Sequence, residues 1–352
     1  MPRLPLLERY RALVELPAHS NLVSLQEGST PLIPLPRLAD ELGGGFKLYA
    51  KFEGLNPTGS FKDRGMTAAV SEALGRGVKA LICASTGNTA ASAAAYAARA
   101  GLPCTVLIPA GKVAAGKLAG ALAYGAQVLQ IEGSFDQALD LVLEISKRRP
   151  IALVNSLNPY RLEGQKTAAF EIIEELGAAP EWMCLPVGNA GNITAYWMGF
   201  RQYHHLHHCG LPHLLGVQAV GAAPLVLGHP VDQPETVATA IRIGRPARGE
   251  QALQAAEESG GRITAASDED ILAAQRRLTS EGLWVEPASA AGLAGLANEI
   301  KAGKFAPKGK KIVIVCTGHG LKDPEIITKR MPAITTIPAD FAALEETIAL
   351  GQ

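Results

Sequence analysis

Short runs of Val, Ile and Leu alternate with longer Ala-rich segments along most of this chain. From Lys79 onward the order is KALICAS, NTAASAAAYAARAG, PCTVLIP, KLAGALAYG, AQVLQIEG, FDQALDLVLEISKRR and IALVNS. An unbroken apolar run leaves no face for water, so it reads as a strand covered on both sides, and the Ala-rich segments between such runs read as helices. Strand, helix, strand at this rhythm predicts parallel sheets covered by helices. The later half repeats the pattern with MCLPVG, a helix from about Ile193, LLGVQAVG, a helix through DEDILAAQRRL and the strand KKIVIVCTG. Ser267, with Asp270 three residues on, supplies the start signal for the DEDILAAQRRL helix. No internal repeat or low-complexity linker divides the chain. The pattern therefore predicts two closely packed α/β units without fixing their boundary.

In open parallel sheets, ligands lie beyond the carboxyl ends of the strands. That rule selects the loops CASTGNTAA, LIPAGKVAAGK, LPVGNAGNI and VCTGHGLKD. In Gly188-Asn189-Ala190-Gly191-Asn192, glycines at both ends let several N–H groups converge on one anion at a helix start, although an ordinary strand-to-helix turn has the same composition. Ser85-Thr86-Gly87-Asn88-Thr89 offers hydroxyls, an amide and N–H groups suited to a carboxylate, or alternatively a simple helix cap.

Gly111 to Leu118 nearly spells a nucleotide-binding loop, but Leu118 stands where the Mg²⁺-holding hydroxyl belongs, which argues against an NTPase. Lys117 remains available as a point charge for a phosphate. Arg161, after Asn155 and Ser156, reads either as a solvated helix start or, beside Lys117, as half of a dianion site. His204 and His208 share a helix face, yet lack an acidic partner nearby in sequence, so a polar helix end is the better reading than a metal site. No Gly-x-Ser-x-Gly elbow supports serine hydrolysis. The stretch GLNPTGSFKDRGM, residues 54–66, places Lys62 directly after a Gly-turn, where a lysine can bind phosphate, pair with a carboxylate or act as a nucleophile.

Composition narrows the ligand. The 352 residues are 47% hydrophobic, enough for a large core, and 33 Lys and Arg balance 33 Asp and Glu. No global field attracts nucleic acid or an anionic membrane, so a small molecule held by local charge is expected. The five cysteines are widely spaced and mostly in apolar runs, as reduced core residues are. No segment approaches the roughly 18 apolar residues of a membrane span. The N-terminus lacks a long apolar stretch and a small-residue cleavage site, and a cytoplasmic protein is expected.

Taken together, Ser60-Phe61-Lys62-Asp63-Arg64-Gly65, Ser85 to Thr89, Gly188 to Asn192 and Thr317-Gly318-His319-Gly320-Leu321-Lys322-Asp323 resemble the threonine synthase family, in the tryptophan-synthase-β-like, fold type II group of pyridoxal-phosphate enzymes. The likeness runs from Glu27-Gly28-Ser29-Thr30-Pro31-Leu32 to about Asp323. It implies two open, mostly parallel twisted sheets with the active site between the domains: residues 1–55 with 157–352 as the large cofactor-binding domain, and 56–156 as a small mobile domain carrying the substrate-carboxylate loop. It implies that Lys62 bonds to pyridoxal 5′-phosphate as the catalytic amine, beside Phe61. Burial against such neighbours would lower its pKa and leave it neutral for attack on an aldehyde.

By the same likeness Gly188, Asn189, Ala190, Gly191 and Asn192 bind the cofactor phosphate, Asn88 the ring hydroxyl and Thr317 the pyridine nitrogen. Ser85, Thr86, Asn88 and Thr89 would hold the substrate carboxylate. Lys117, Asn155, Ser156 and Arg161 would hold the phosphate of O-phospho-L-homoserine, a site that serine and threonine dehydratases have no use for. The reaction implied is β,γ-replacement: Lys62 moves protons at Cα and Cβ, phosphate departs, and water adds at Cβ to give L-threonine. A homodimer is expected from the family, and Glu286 and Arg242 are landmarks without an assigned step. The alternatives are a threonine or serine dehydratase and, from another class, a non-catalytic ligand-binding protein on the same fold.

Overall fold

The computed structural model describes residues 4–111, 115–325 and 335–348. The chain divides into two compact units, Met1–Lys322 and Asp323–Gln352. The second contributes the helix Phe341–Thr347, whose Asp340 cap accepts a hydrogen bond from the Ala343 N–H at 2.9 Å. The first contains both sheets.

The strands are β1 (Leu32–Pro34), β2 (Lys47–Phe52), β3 (Ala80–Ala84), β4 (Cys104–Pro109), β5 (Gln127–Ile131), β6 (Ile151–Leu153), β7 (Trp182–Pro186), β8 (His213–Ala219), β9 (Arg262–Ala266) and β10 (Lys311–Cys316). Six form one sheet in the order β1-β2-β10-β7-β8-β9, and four form another in the order β5-β4-β3-β6. Every pairing is parallel except β1 with β2. The apolar runs read from the sequence are β3 to β8 and β10, and helices join them as the rhythm requires. Ile312, Val313, Ile314 and Val315 of β10 are completely buried, and burial of such a side chain stabilises the fold by about 1.5–3 kcal/mol.

The helix expected from about Ile193 starts at Gly191 and runs to His207. The helix Asp268–Ser280 is capped as read: Ser267 Oγ accepts from the Asp270 N–H at 3.1 Å and donates to the Asp270 carboxylate at 2.8 Å. The five cysteines are all free thiols, four of them buried and Cys209 half-buried.

One helix contact sets the relative positions of Lys62 and Arg161. The helices Lys62–Gly75 and Tyr160–Leu176 cross at Gly65 and Gly164. A Cβ on Gly164 would lie 1.8 Å from the Arg64 carbonyl oxygen, and one on Gly65 would lie 2.8 Å from the Arg161 carbonyl oxygen. Only the two glycines permit this approach, which brings the start of one helix, with Lys62, towards the start of the other, with Arg161.

Candidate active site

Lys62 opens its helix from a turn stitched to the loop after β10. Phe61 N–H donates to the Thr317 carbonyl at 3.0 Å, His319 N–H donates to the Gly59 carbonyl at 2.9 Å, and Ser60 bridges Gly318. The Lys62 amine lies 4.3 Å from the centre of the Phe61 ring and has no hydrogen-bond acceptor among the described residues. Burial, then the nearby Arg161 charge, lowers its pKa to about 7, with the Glu286 carboxylate opposing them. The amine is thus substantially neutral at physiological pH, as nucleophilic and proton-transfer chemistry requires.

The neighbours of Lys62 are occupied otherwise. Asp63 accepts from Thr58 N–H and Oγ1, both at 2.7 Å, and from Ser92 Oγ at 2.6 Å. Arg64 is saturated by Glu53 and Glu171. These two hold the turn, and their side chains are fully engaged in doing so.

After β3, the Ser85–Thr89 loop leads into the helix Asn88–Ala100. Its N-cap is Gly87 and no side chain caps it, so the Ser85, Thr86 and Thr89 hydroxyls are not engaged as ordinary caps; the Ala90 and Ala91 N–H groups share the Gly87 carbonyl, while those of Asn88 and Thr89 have no backbone acceptor among the described residues. Ser85 Oγ does accept from the Gly87 N–H, at 3.3 Å. Asn88 Nδ2 donates to both Glu286 oxygens, at 3.0 and 3.1 Å, which sets the orientation of its amide. Glu286 is itself anchored, its N–H donating to the Gly318 carbonyl at 3.1 Å. Thr317 is buried, and its hydroxyl shares a 2.9 Å hydrogen bond with Ser289 Oγ, which also accepts from the Gly318 N–H at 2.8 Å.

Following β7, Gly188 to Asn192 curl into the start of the helix Gly191–His207. Ala190 takes the left-handed conformation, φ 65°, and the loop is backed by the turn Thr239–Ile241, with the Ile241 Cα 3.0 Å from where a Gly188 Cβ would sit. A side chain at 188 would push the loop away from that backing. Asn192 Nδ2 is buried without a hydrogen-bond partner. An orphaned donor at a helix start, in a loop of backbone N–H groups, fits a phosphate. With the neutral lysine, this cradle fits pyridoxal 5′-phosphate.

Beyond β6 lie the residues read as a second anion site. Arg161 is 1% exposed; its Nη1 donates to the Val154 carbonyl at 3.1 Å, while Nε and Nη2 have no partner. Burial lowers its pKa to about 10. A buried guanidinium with two unmet donors and no carboxylate is expensive unless an anion joins it. The Asn155 amide clamps the Ala84 backbone, accepting from its N–H at 2.9 Å and donating to its carbonyl at 2.8 Å, and so ties the β6 loop to the Ser85 loop. Ser156 is half-buried and its carbonyl accepts from Arg248. Lys117 belongs to the helix Ala115–Ala123, but its side chain lies outside the described residues.

The site therefore assembles at the carboxyl ends of β3 and β6 from one sheet and β7 and β10 from the other. Arg248 lies in no motif and carries no signal in the sequence, whereas Glu286 and Ser289 share a landmark stretch, Glu286-Pro287-Ala288-Ser289, to which the sequence assigns no contact. Arg242, directly after Ile241, is exposed and pairs with Glu235 at 3.5 Å. Of the histidine run, His204 Nδ1 accepts from the Gly210 N–H at 3.0 Å, and no group of three or more His, Cys, Asp or Glu among the described residues could hold a metal. Among the described residues no helix is long and apolar enough to cross a membrane.

The family model of pyridoxal-phosphate-dependent enzymes matches residues 23–318. A threonine synthase from Mycobacterium leprae is 56% identical over 93% of this chain and 91% of its own length. One from Halalkalibacterium halodurans is 54% identical over 96% and 94%. Maize serine racemase, at 19% identity, shares the fold with a TM-score of 0.73 over 92% of this chain and 94% of that one. The chain belongs to the pyridoxal-phosphate-dependent enzymes, and within them to the threonine synthase family.

Proposed function

We propose that this enzyme converts O-phospho-L-homoserine and water to L-threonine and phosphate, with Lys62 as its catalytic residue. The observation that carries the reading is Arg161, a buried arginine with two unpartnered nitrogens at the end of β6. Serine and threonine, the substrates of a dehydratase, carry no second anion beyond the carboxylate to put there.

Pyridoxal 5′-phosphate, when bound, supplies an aldehyde for the lysine and an electron sink for charge developing on the amino acid. The N–H groups of Gly188 to Asn192 and the Asn192 side chain hold its phosphate. Asn88, oriented by Glu286, meets the ring hydroxyl. Thr317 would offer the ring nitrogen a hydroxyl, shared with Ser289, in place of a carboxylate, and so would favour protonation of that nitrogen less than an acid would. Ser85, Thr86, Asn88 and Thr89 receive the substrate carboxylate at a helix start. Lys62, with its pKa near neutrality, accepts protons from Cα and then Cβ; as phosphate leaves Cγ that carbon is protonated to become the methyl group, water adds at Cβ and a proton returns to Cα. Arg161, with Lys117 and Ser156, holds the substrate phosphate. Kept near Cβ after departure, that phosphate is placed to take a proton from the attacking water.

Residues 56–156, which contain the four-stranded sheet, are proposed as the small mobile domain, and 1–55 with 157–352 as the large one. The balanced charge supports small-molecule chemistry without nucleic-acid partners, and family likeness supports a cytoplasmic homodimer. The deciding experiment supplies the purified enzyme with pyridoxal phosphate and O-phospho-L-homoserine and measures phosphate and threonine. Stoichiometric release of both is expected; keto acid from threonine, with no phosphate from phosphohomoserine, would overturn the proposal.

A further inference from the structure

Arg248 stands outside every motif, immediately before the helix Gly249–Glu258. It belongs to the connection between β8 and β9, yet its guanidinium reaches the chain that follows β6. Nε donates to the Ser156 carbonyl at 3.1 Å and Nη2 to the Leu157 carbonyl at 3.2 Å. Its stem passes the start of the helix Gly191–His207, with Cδ 3.9 Å from where a Gly191 Cβ would lie. Arg161 donates to the Val154 carbonyl, two residues before Ser156, so the same short stretch of backbone is held by both guanidinium groups. Neither arginine has a carboxylate within ion-pair distance among the described residues.

Two guanidinium groups brought together without an anion repel each other, and partial burial strengthens the repulsion. A neutral amide would serve as well if two carbonyl oxygens were all that needed donors. The excess charge is explained by a ligand more negative than a single arginine can neutralise, and a phosphate monoester above its second pKa of about 6 carries close to two negative charges. We propose that Arg248 is a positioning and specificity-determining residue for the phosphorylated substrate: it latches residues 156–157 beside the large sheet and adds a second positive charge behind Arg161, so that the pocket selects a dianionic phosphate ester. This rests on the reading of Arg161 as a ligand of the substrate phosphate.

The test uses the cofactor-loaded enzyme and inorganic phosphate as the probe, read as competitive inhibition against O-phospho-L-homoserine and as the rise in melting temperature that phosphate produces. Arg248→Gln should raise the KM for phosphohomoserine and the inhibition constant for phosphate by about 10- to 100-fold, the size of one charge-assisted contact, with a smaller change in kcat. Arg248→Lys, which keeps the charge, should recover part of both and of the phosphate-induced thermal shift. Shifts within about twofold for Arg248→Gln, alongside large ones for Arg161→Ala, would overturn the proposal while leaving the phosphate site intact. Equal impairment in the Lys and Gln variants, confined to kcat, would reduce Arg248 to a neutral latch and overturn it as well. If phosphate neither competes with substrate nor shifts the melting temperature of the unmodified enzyme, the assignment of the pocket itself fails, and the inference with it.

Discussion

Arg64 and Arg161 are buried to the same degree, each 1% exposed, on two helices that touch through glycines. Around Arg64 every donor is met: Glu53 Oε2 at 2.7 Å, Glu171 at 2.8 and 2.6 Å, Glu53 Oε1 at 2.8 Å and Thr30 at 3.1 Å. Lys51 completes the cluster, 2.8 Å from Glu171. Those carboxylates hold the Arg64 guanidinium well above its ordinary range, and the cations hold Glu171 far below its own. Around Arg161 two donors are unmet, and burial pulls its pKa down. The difference teaches how to tell architecture from chemistry in this molecule. A buried charge that has its counter-ion belongs to the architecture, whereas a buried ionisable group without one, such as Arg161 or the largely neutral Lys62, points to a ligand.

The largest separation between the two regions is expected from Lys62→Ala. Loss of the amine proposed to bond the cofactor and shuttle protons should cut turnover by at least about a thousandfold and abolish the visible absorbance of covalently bound cofactor. Retained absorbance and turnover would remove Lys62 from the catalytic role. Next comes Arg64→Met, which leaves the buried Glu53 carboxylate without its cation and Glu171 with Lys51 alone, and should destabilise the protein by about 3–5 kcal/mol in chemical denaturation; a loss below about 1 kcal/mol would mean the cluster is not structural. Arg161→Ala should lower kcat/KM for phosphohomoserine by about a hundredfold while reaction with an unphosphorylated amino acid falls far less. Equal losses on both substrates would make Arg161 a structural residue like Arg64.

The smallest effect is a pH dependence. Between about 7 and the ordinary lysine value of 10.5, the unfolded chain keeps a proton on Lys62 that the folded chain has released. The cofactor-free protein should therefore gain stability as pH rises through this window, because the unfolded state binds more protons there. Below about 7 both states are protonated and the folded one bears the full penalty of the buried charge. Denaturation curves of the cofactor-free protein and of Lys62→Ala should differ by this slope, and superimposable pH profiles would show the amine to be unperturbed.

Much of this organisation is legible in the chain because its cause is local. Runs such as LICA and KIVIVC can only be strands buried on both faces, and the loops that end them are where the candidate residues lie. The edge strands β1 and β9 are not legible in that way: Leu32–Pro34 is three residues ending in proline, and Arg262–Ala266 is only partly covered. At the site, Lys62 stands out through its turn and through resemblance. The contact between Glu286 and Asn88 spans 198 positions, and Arg248 reaches back across 92. Such pairings depend on where the two sheets bring their strand ends, and no spacing in the sequence encodes them.

The contrast between the two arginines can be measured directly by replacing each with methionine, an unbranched side chain without charge, and comparing denaturation midpoints of the cofactor-free proteins. Arg161→Met should lose no more than the single hydrogen bond to Val154, about 1 kcal/mol, or gain stability by removing an uncompensated buried cation, while Arg64→Met loses about 3–5 kcal/mol. A loss at Arg161 as large as that at Arg64 would contradict the account, since it would mean that Arg161 is held by the fold and not reserved for a substrate phosphate.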